Sequence, residues 1–242
     1  MSRLADVRRL YELLAELEYR MGGVRRLRDG DGRKGWPARG VYFFFDASEP
    51  RTDSGTGARI VRVGTHALRK TSRATLWSRL AQHLGSLGQL GGNHRASIFR
   101  ALVGEAIAQR DGMQVRTWGH GSSAGAAATR FGVPRDGLIA DELELERATS
   151  RIIADLRVIA LPVEDASARG FIERNSIALL SNFASAPLDP ASATWLGQHS
   201  QRERVRCSGL WNNEHVDEAY DPLLLASVDE MMRTDADHAG TR

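Results

Sequence analysis

Tyr42 heads three phenylalanines in RGVYFFFDASEP, residues 39–50, and Arg62 interrupts the next apolar run, RIVRVGT, residues 59–65. In an extended strand Tyr42 and Phe44 share one face while Phe43 and Phe45 share the other. Both faces are then covered, and the tyrosine hydroxyl either finds a buried partner or points into a site. Arg79 and His83 stand four apart in ATLWSRLAQHL, residues 74–84, one above the other on a helix. They flank the stripe of Leu76, Leu80 and Leu84, on a shoulder facing the sheet edge where a phosphate could sit. A solvated flank with a snorkelling arginine is the plainer reading. Glu173 takes the same kind of shoulder in ARGFIERNSIALLSNF, residues 168–183. A carboxylate beside an apolar face suits a hard cation. It equally suits a surface pairing, although Ile177 four residues on offers it no charge.

The elements that must position these residues are legible from periodicity. Leu4, Val7, Leu10, Leu14 and Leu17 recur at helical steps, and residues 22–40 read as a Gly-rich basic connector. Strands over 40–46 and 59–64 are joined by ASEPRTDSGTGA, a run of turn formers, as a hairpin with a long tip. Helices are expected over 74–84 and 94–110, and residues 119–137 read as a small-residue loop. A helix over 141–156, a third strand over 156–165 and a helix over 168–183 come next. Beyond that the chain reads as irregular until DPLLLASVDEMM, with the last ten residues frayed. The implied fold class is α+β: a small three-stranded mixed or antiparallel sheet flanked by helices.

The 242 residues carry a formal net charge of +3, with 42% hydrophobic and 26% charged residues, as expected of one globular unit with extensions. No apolar run approaches a membrane span, and the N-terminus lacks the apolar core of a secretion signal. One cysteine, Cys207, excludes an internal disulfide framework and a cysteine-built zinc site, and a cytoplasmic location is expected. Lys34 and Lys70 are the only lysines. The arginine bias fits phosphate recognition, and equally a GC-rich genome.

Taken together, Gly40-Val41-Tyr42, Val63-Gly64, Arg79 with His83, a third strand and then Glu173 on a helix resemble the GIY-YIG nuclease superfamily. The likeness is greatest to its restriction-enzyme branch, where an arginine and a histidine stand four apart on the first helix. It spans residues 39–183 and implies a three-stranded sheet with flanking helices, one divalent cation on the helical glutamate, and hydrolysis of phosphodiesters in double-stranded DNA. It further implies that Glu173 holds Mg²⁺ or Mn²⁺, that Arg79 binds the developing negative charge, and that Tyr42 with His83 positions or deprotonates the water. By intrinsic pKa His83 is the better base. Three features depart from the family pattern. Arg62 stands where a second tyrosine belongs, the two motifs lie further apart than usual, and the asparagine that comes after the glutamate is matched by either Asn182 or Asn212. Arg62 adds phosphate affinity or marks lost catalysis, so a catalytically impaired DNA-binding module of the same fold is the alternative. The organisation expected is an N-terminal helix and connector over 1–38, a catalytic domain over 39–183 and a packed C-terminal extension over 184–242.

GSSAG, residues 121–125, also matches G-x-S-x-G with Ser123 as nucleophile. Gly132 and Pro134 break the helix that an α/β-hydrolase needs after its serine, and the many parallel strands of that fold are missing. No histidine pair has helical H-x-x-x-H spacing, so a zincin-type site is not supported, and no P-loop is present.

Overall fold

A computed structural model of the chain describes all residues except 1, 24, 33–34, 69–70, 88–90 and 240–242, and the side chains of 235–239. Four strands form one sheet in the order β1-β4-β2-β3: β1 (Arg25–Arg26), β4 (Arg157–Pro162), β2 (Gly40–Pro50) and β3 (Ala58–Gly64). Every neighbouring pair is antiparallel. The sheet is therefore purely antiparallel, and β1 is a fourth, two-residue strand inside the segment read from sequence as a connector. Two residues carry no detectable period, so only pairing with Arg157 and Val158 defines β1.

The alternation of β2 divides the interior as its sequence implies. Val41, Phe43 and Phe45 face α1 (Arg3–Arg20), α6 (Ala166–Leu180) and α8 (Leu224–Ala239), through Leu10, Leu14, Ile172 and Val228. Tyr42 and Phe44 face α2 (Leu76–Leu84), α3 (Ile98–Asp111) and α5 (Arg135–Asp155), through Leu80, Phe99 and Leu145. Helix α8 extends to Ala239, through most of the terminus expected to fray; the last three positions lie outside the described residues.

Residues 119–137 are not a loop. They hold α4 (Ala124–Phe131) and the start of α5, six residues before the acidic run that signalled it. Ser123 caps α4 by accepting the amide of Ala126, Ala127 and Ala128 pack on Leu138, and Gly132 ends the helix in the left-handed region. Small side chains hid this helix because alanine is apolar too weakly to mark a stripe. The segment before Ser123 is turn rather than strand, so the serine is a helix cap and not a nucleophile at a strand end.

The long hairpin tip is tied down from the C-terminal extension. Asp189 Oδ1 accepts the amides of Thr52, Asp53 and Ser54 at 2.9, 2.7 and 2.9 Å, and Oδ2 accepts the Ser54 hydroxyl. Burial works to raise the Asp189 pKa, but the Ser54 hydroxyl and the three amides outweigh it and hold the carboxyl below its ordinary value. A depressed carboxylate contributes stability above its unfolded pKa and loses it as pH falls through the folded value. Asp189→Ala is expected to cost about 2 kcal/mol at pH 7 in urea unfolding. The gap between wild type and variant should close on acidification; a gap independent of pH would refute this account.

Candidate active site

Helix α2 begins at Thr75, whose hydroxyl accepts the Ser78 amide, and it buries Leu76, Leu80 and His83. Its C-terminal end is held by the fully buried Arg100, which donates to the carbonyls of His83 and Leu84 at 2.9 and 3.0 Å and pairs with Glu146. This anchoring sets His83 against the middle strand. His83 Nε2 lies 2.7 Å from the Tyr42 hydroxyl, and Nδ1 lies 2.7 Å from the hydroxyl of Ser97, the cap of α3. Phe44 and Phe99 meet the imidazole edge-on. Burial, then Arg62, Arg79 and Arg100, push its pKa well below the ordinary value. The ring is neutral, and neither nitrogen is free to meet a water. Burial thus removes the advantage His83 holds by intrinsic pKa.

Arg62 reaches the same cluster through its direct pairing with Phe44, and β3 carries a bulge next to it. Phe44 pairs with Arg62 and Phe45 with Ile60, leaving Val61 as the extra residue. The bulge turns Val61 to the Tyr42 face of the sheet, beside Arg62, which is there by register. Its guanidinium lies 4.8 Å over the Phe99 ring and donates to the Trp211 carbonyl. Burial lowers its pKa, and Tyr42 acts in the opposite sense. A neutral imidazole has one donor and one acceptor nitrogen, so one of the Tyr42 and Ser97 hydroxyls donates to His83 and the other accepts from it.

Tyr42 is fully buried, and the adjoining residue across the ladder is Gly64. After Gly64 the chain turns to Thr65, whose amide donates to Glu173 Oε1 at 3.0 Å and whose hydroxyl donates to the Gly40 carbonyl at 2.8 Å. Glu173 and Arg79 therefore line one open cleft of about 490 Å³ with Thr65, His66, Ser72 and Gln82. Burial raises the Glu173 pKa, opposed by Arg62, the Thr65 amide, His215 and Arg79. Arg79 donates to Gln82 Oε1 and the Ala96 carbonyl at 3.0 and 3.1 Å. The five residues thus converge in two layers. Tyr42, Arg62 and His83 are buried under the sheet face, and Arg79 and Glu173 stand at the cleft. Gly64-Thr65 is the backbone bridge between them.

The two asparagines lie elsewhere. Asn182 accepts from Arg3 and from the Leu188 amide and donates to the Leu188 carbonyl, closing the loop after α6. Asn212 pairs with both backbone groups of Val63, at 3.1 and 2.9 Å, while the Trp211 amide donates to Val61. Trp211 and Asn212 thus cover the outer edge of β3 as a strand would.

No group of three or more His, Cys, Asp or Glu side chains that could hold a metal exists among the described residues. An all-protein cage is thereby excluded for them. A single carboxylate, one oxygen fixed by a backbone amide and set beside a cleft, fits Mg²⁺ or Mn²⁺ that keeps its waters and shares a phosphate. Sequence reasoning stopped at Gly64 and missed Thr65 and His66 directly after it; a hydroxyl and an imidazole next to a strand-end glycine were the only available signal. No helix among the described residues is long and apolar enough to cross a membrane. A family model described as the GIY-YIG domain matches residues 1–237. Comparison with curated proteins and with solved structures gives no match.

Proposed function

The chain belongs to the GIY-YIG domain family, a nuclease family acting on DNA, and from that premise we propose a metal-dependent endonuclease that hydrolyses phosphodiester bonds of double-stranded DNA. The observation that carries this reading is the two-layer site, with a phenol hydrogen-bonded to a neutral imidazole on the sheet face that Arg62 shares, joined by Gly64-Thr65 to a cleft bearing a carboxylate and an arginine. In this reading residues 39–183 form the catalytic unit. The described residues on either side, through α1 and α8, are integral to it, because those helices share its core. A cytoplasmic or nuclear location accords with the substrate.

Glu173 would hold Mg²⁺ or Mn²⁺, which when bound supplies Lewis-acid polarisation of a phosphate oxygen and relief of charge on the leaving oxygen. Arg79 contacts a non-bridging oxygen and opposes the charge that builds on it. Tyr42 orients the attacking water through its phenol oxygen, with the Arg62 side chain on the same face of the sheet. His83 is a positioning residue here: it fixes the phenol through Nε2 and is itself fixed by Ser97. Arg62 accordingly belongs to the catalytic apparatus, in place of a second phenol.

The test is incubation of the purified protein with supercoiled plasmid in Mg²⁺ or Mn²⁺. Nicked and linear forms are expected to accumulate, and EDTA to prevent them. Tight DNA binding without any strand scission under either cation would make the protein a binding module instead.

A further inference from the structure

His66 lines the cleft beside Glu173 and Arg79, is 6% exposed, and has no hydrogen bond on either ring nitrogen among the described residues. The Ala38 backbone favours its protonated form, but without hydrogen-bond geometry. Orphaned buried imidazoles are costly, since each unpaired polar atom forfeits its hydration. The conformation that presents this one is itself maintained at a cost. Ala67 sits at φ 53°, a left-handed region that a β-carbon disfavours by about 1–2 kcal/mol. It is held there from both sides. Thr65 is tied to Glu173 and Gly40, and the Ala67 carbonyl accepts Arg169 Nη2 at 3.0 Å. Arg169 is fully buried, and its other nitrogen is fixed by the carbonyls of Val163 and Glu164 at 3.0 and 2.6 Å. Strain so well supported, around an unpaired group that faces a cleft, belongs to a site rather than to packing.

The charges acting on His66 select its ligand. They are Arg169, Arg39 and Arg79, against the one carboxylate of Glu173 in the same cleft. Three guanidinium groups against one carboxylate attract an oxyanion. Burial, then Arg169, lower the His66 pKa to about 4, so at neutral pH the ring offers one N–H donor and one acceptor. We propose that His66 is a further substrate-contacting residue, its ring N–H donating to an oxygen of the DNA backbone phosphate that lies beside Arg79. This rests on the nuclease reading above.

The test compares wild type, His66→Gln and His66→Leu for affinity to a short DNA duplex by fluorescence anisotropy in EDTA, and for cleavage in Mg²⁺ or Mn²⁺. Imidazole ¹⁵N shifts of the wild type are monitored as the duplex is added. Loss of one phosphate hydrogen bond is expected to weaken binding by His66→Leu about 10-fold. Glutamine keeps an N–H donor, so His66→Gln should stay within about 3-fold of wild type in binding and cleavage, and the His66 ring resonances should shift on binding. Cleavage and binding by His66→Leu equal to wild type overturn the assignment and leave the nuclease reading standing. Equal loss of cleavage in both variants with unchanged binding overturns it in favour of proton transfer. A wild type that neither binds nor cuts DNA overturns the nuclease reading and this assignment with it.

Discussion

Glu173→Gln is expected to reduce DNA cleavage by about 10³-fold or more and, in the same protein without added metal, to raise the melting temperature. The two effects have one cause. The wild-type carboxylate sits beside an apolar helix face, and burial raises its pKa more than Arg62, the Thr65 amide, His215 and Arg79 lower it. Its charge therefore opposes folding while being what a cation requires. Glutamine keeps the oxygen that accepts the Thr65 amide and removes the desolvated charge, a gain of about 1 kcal/mol or 2–4 °C in a chain of this size. The sign is checkable by pH. An acid with a raised folded pKa contributes most below its unfolded pKa and loses that contribution as pH rises through the folded value. The variant should thus exceed wild type at pH 8 in EDTA, and the two should approach one another as pH falls through the carboxylate range. A variant that still cuts DNA, or one that melts below wild type at pH 8, would remove Glu173 from the role assigned to it.

How each feature is encoded decides whether sequence discloses or withholds it. The apolar runs at 40–46 and 59–64 and the leucine stripe of 76, 80 and 84 are periodic, so the central strands and α2 were legible at once. The division of β2 into Tyr42/Phe44 and Phe43/Phe45 faces came from alternation alone and is the division the two cores make. The bulge at Val61 is different. One extra residue leaves no mark in composition, yet it turns Val61 to the face of Tyr42, beside Arg62. The oddity of an arginine within an apolar run resolves only through Phe99 and the Trp211 carbonyl, which come from distant segments. Helix α4 is built of alanines too small to reveal a stripe, and the cover of the β3 edge by Trp211 and Asn212 joins positions far apart in the chain. His66 carried no sequence signal beyond its type. Its meaning lies in its orphaned nitrogens and in the strained Ala67 beside it.

Gly64→Ala is the second large effect expected, a loss of about 3 kcal/mol in stability together with the loss of cleavage. Gly64 lies directly across the ladder from Tyr42. A β-carbon built on it falls at or inside 2.7 Å of the phenol hydroxyl, Cζ and Cε2, closer than real side chains approach. Its φ is not in the left-handed region, so the cost is steric and aimed at one partner, the tyrosine ring. That ring has nowhere to go: it is fully buried, with Phe44 and His83 each 5.5 Å away by ring centroids. Relief requires the phenol to leave His83 or the Gly64-Thr65 backbone to shift away, and the second course displaces the amide that Glu173 accepts. A glycine in the second motif thus exists for the tyrosine of the first. The consequence is a measurable coupling. Tyr42→Leu removes the hydroxyl and the ring atoms that alanine strikes, so the double variant Tyr42→Leu/Gly64→Ala should lose less stability than the two single losses summed, by about 1–3 kcal/mol in urea unfolding. Tyr42→Phe should relieve much less, because the ring carbons remain in place. Additive losses, or a cost below about 1 kcal/mol for Gly64→Ala alone, would show that the phenol is not seated where the strand register puts it.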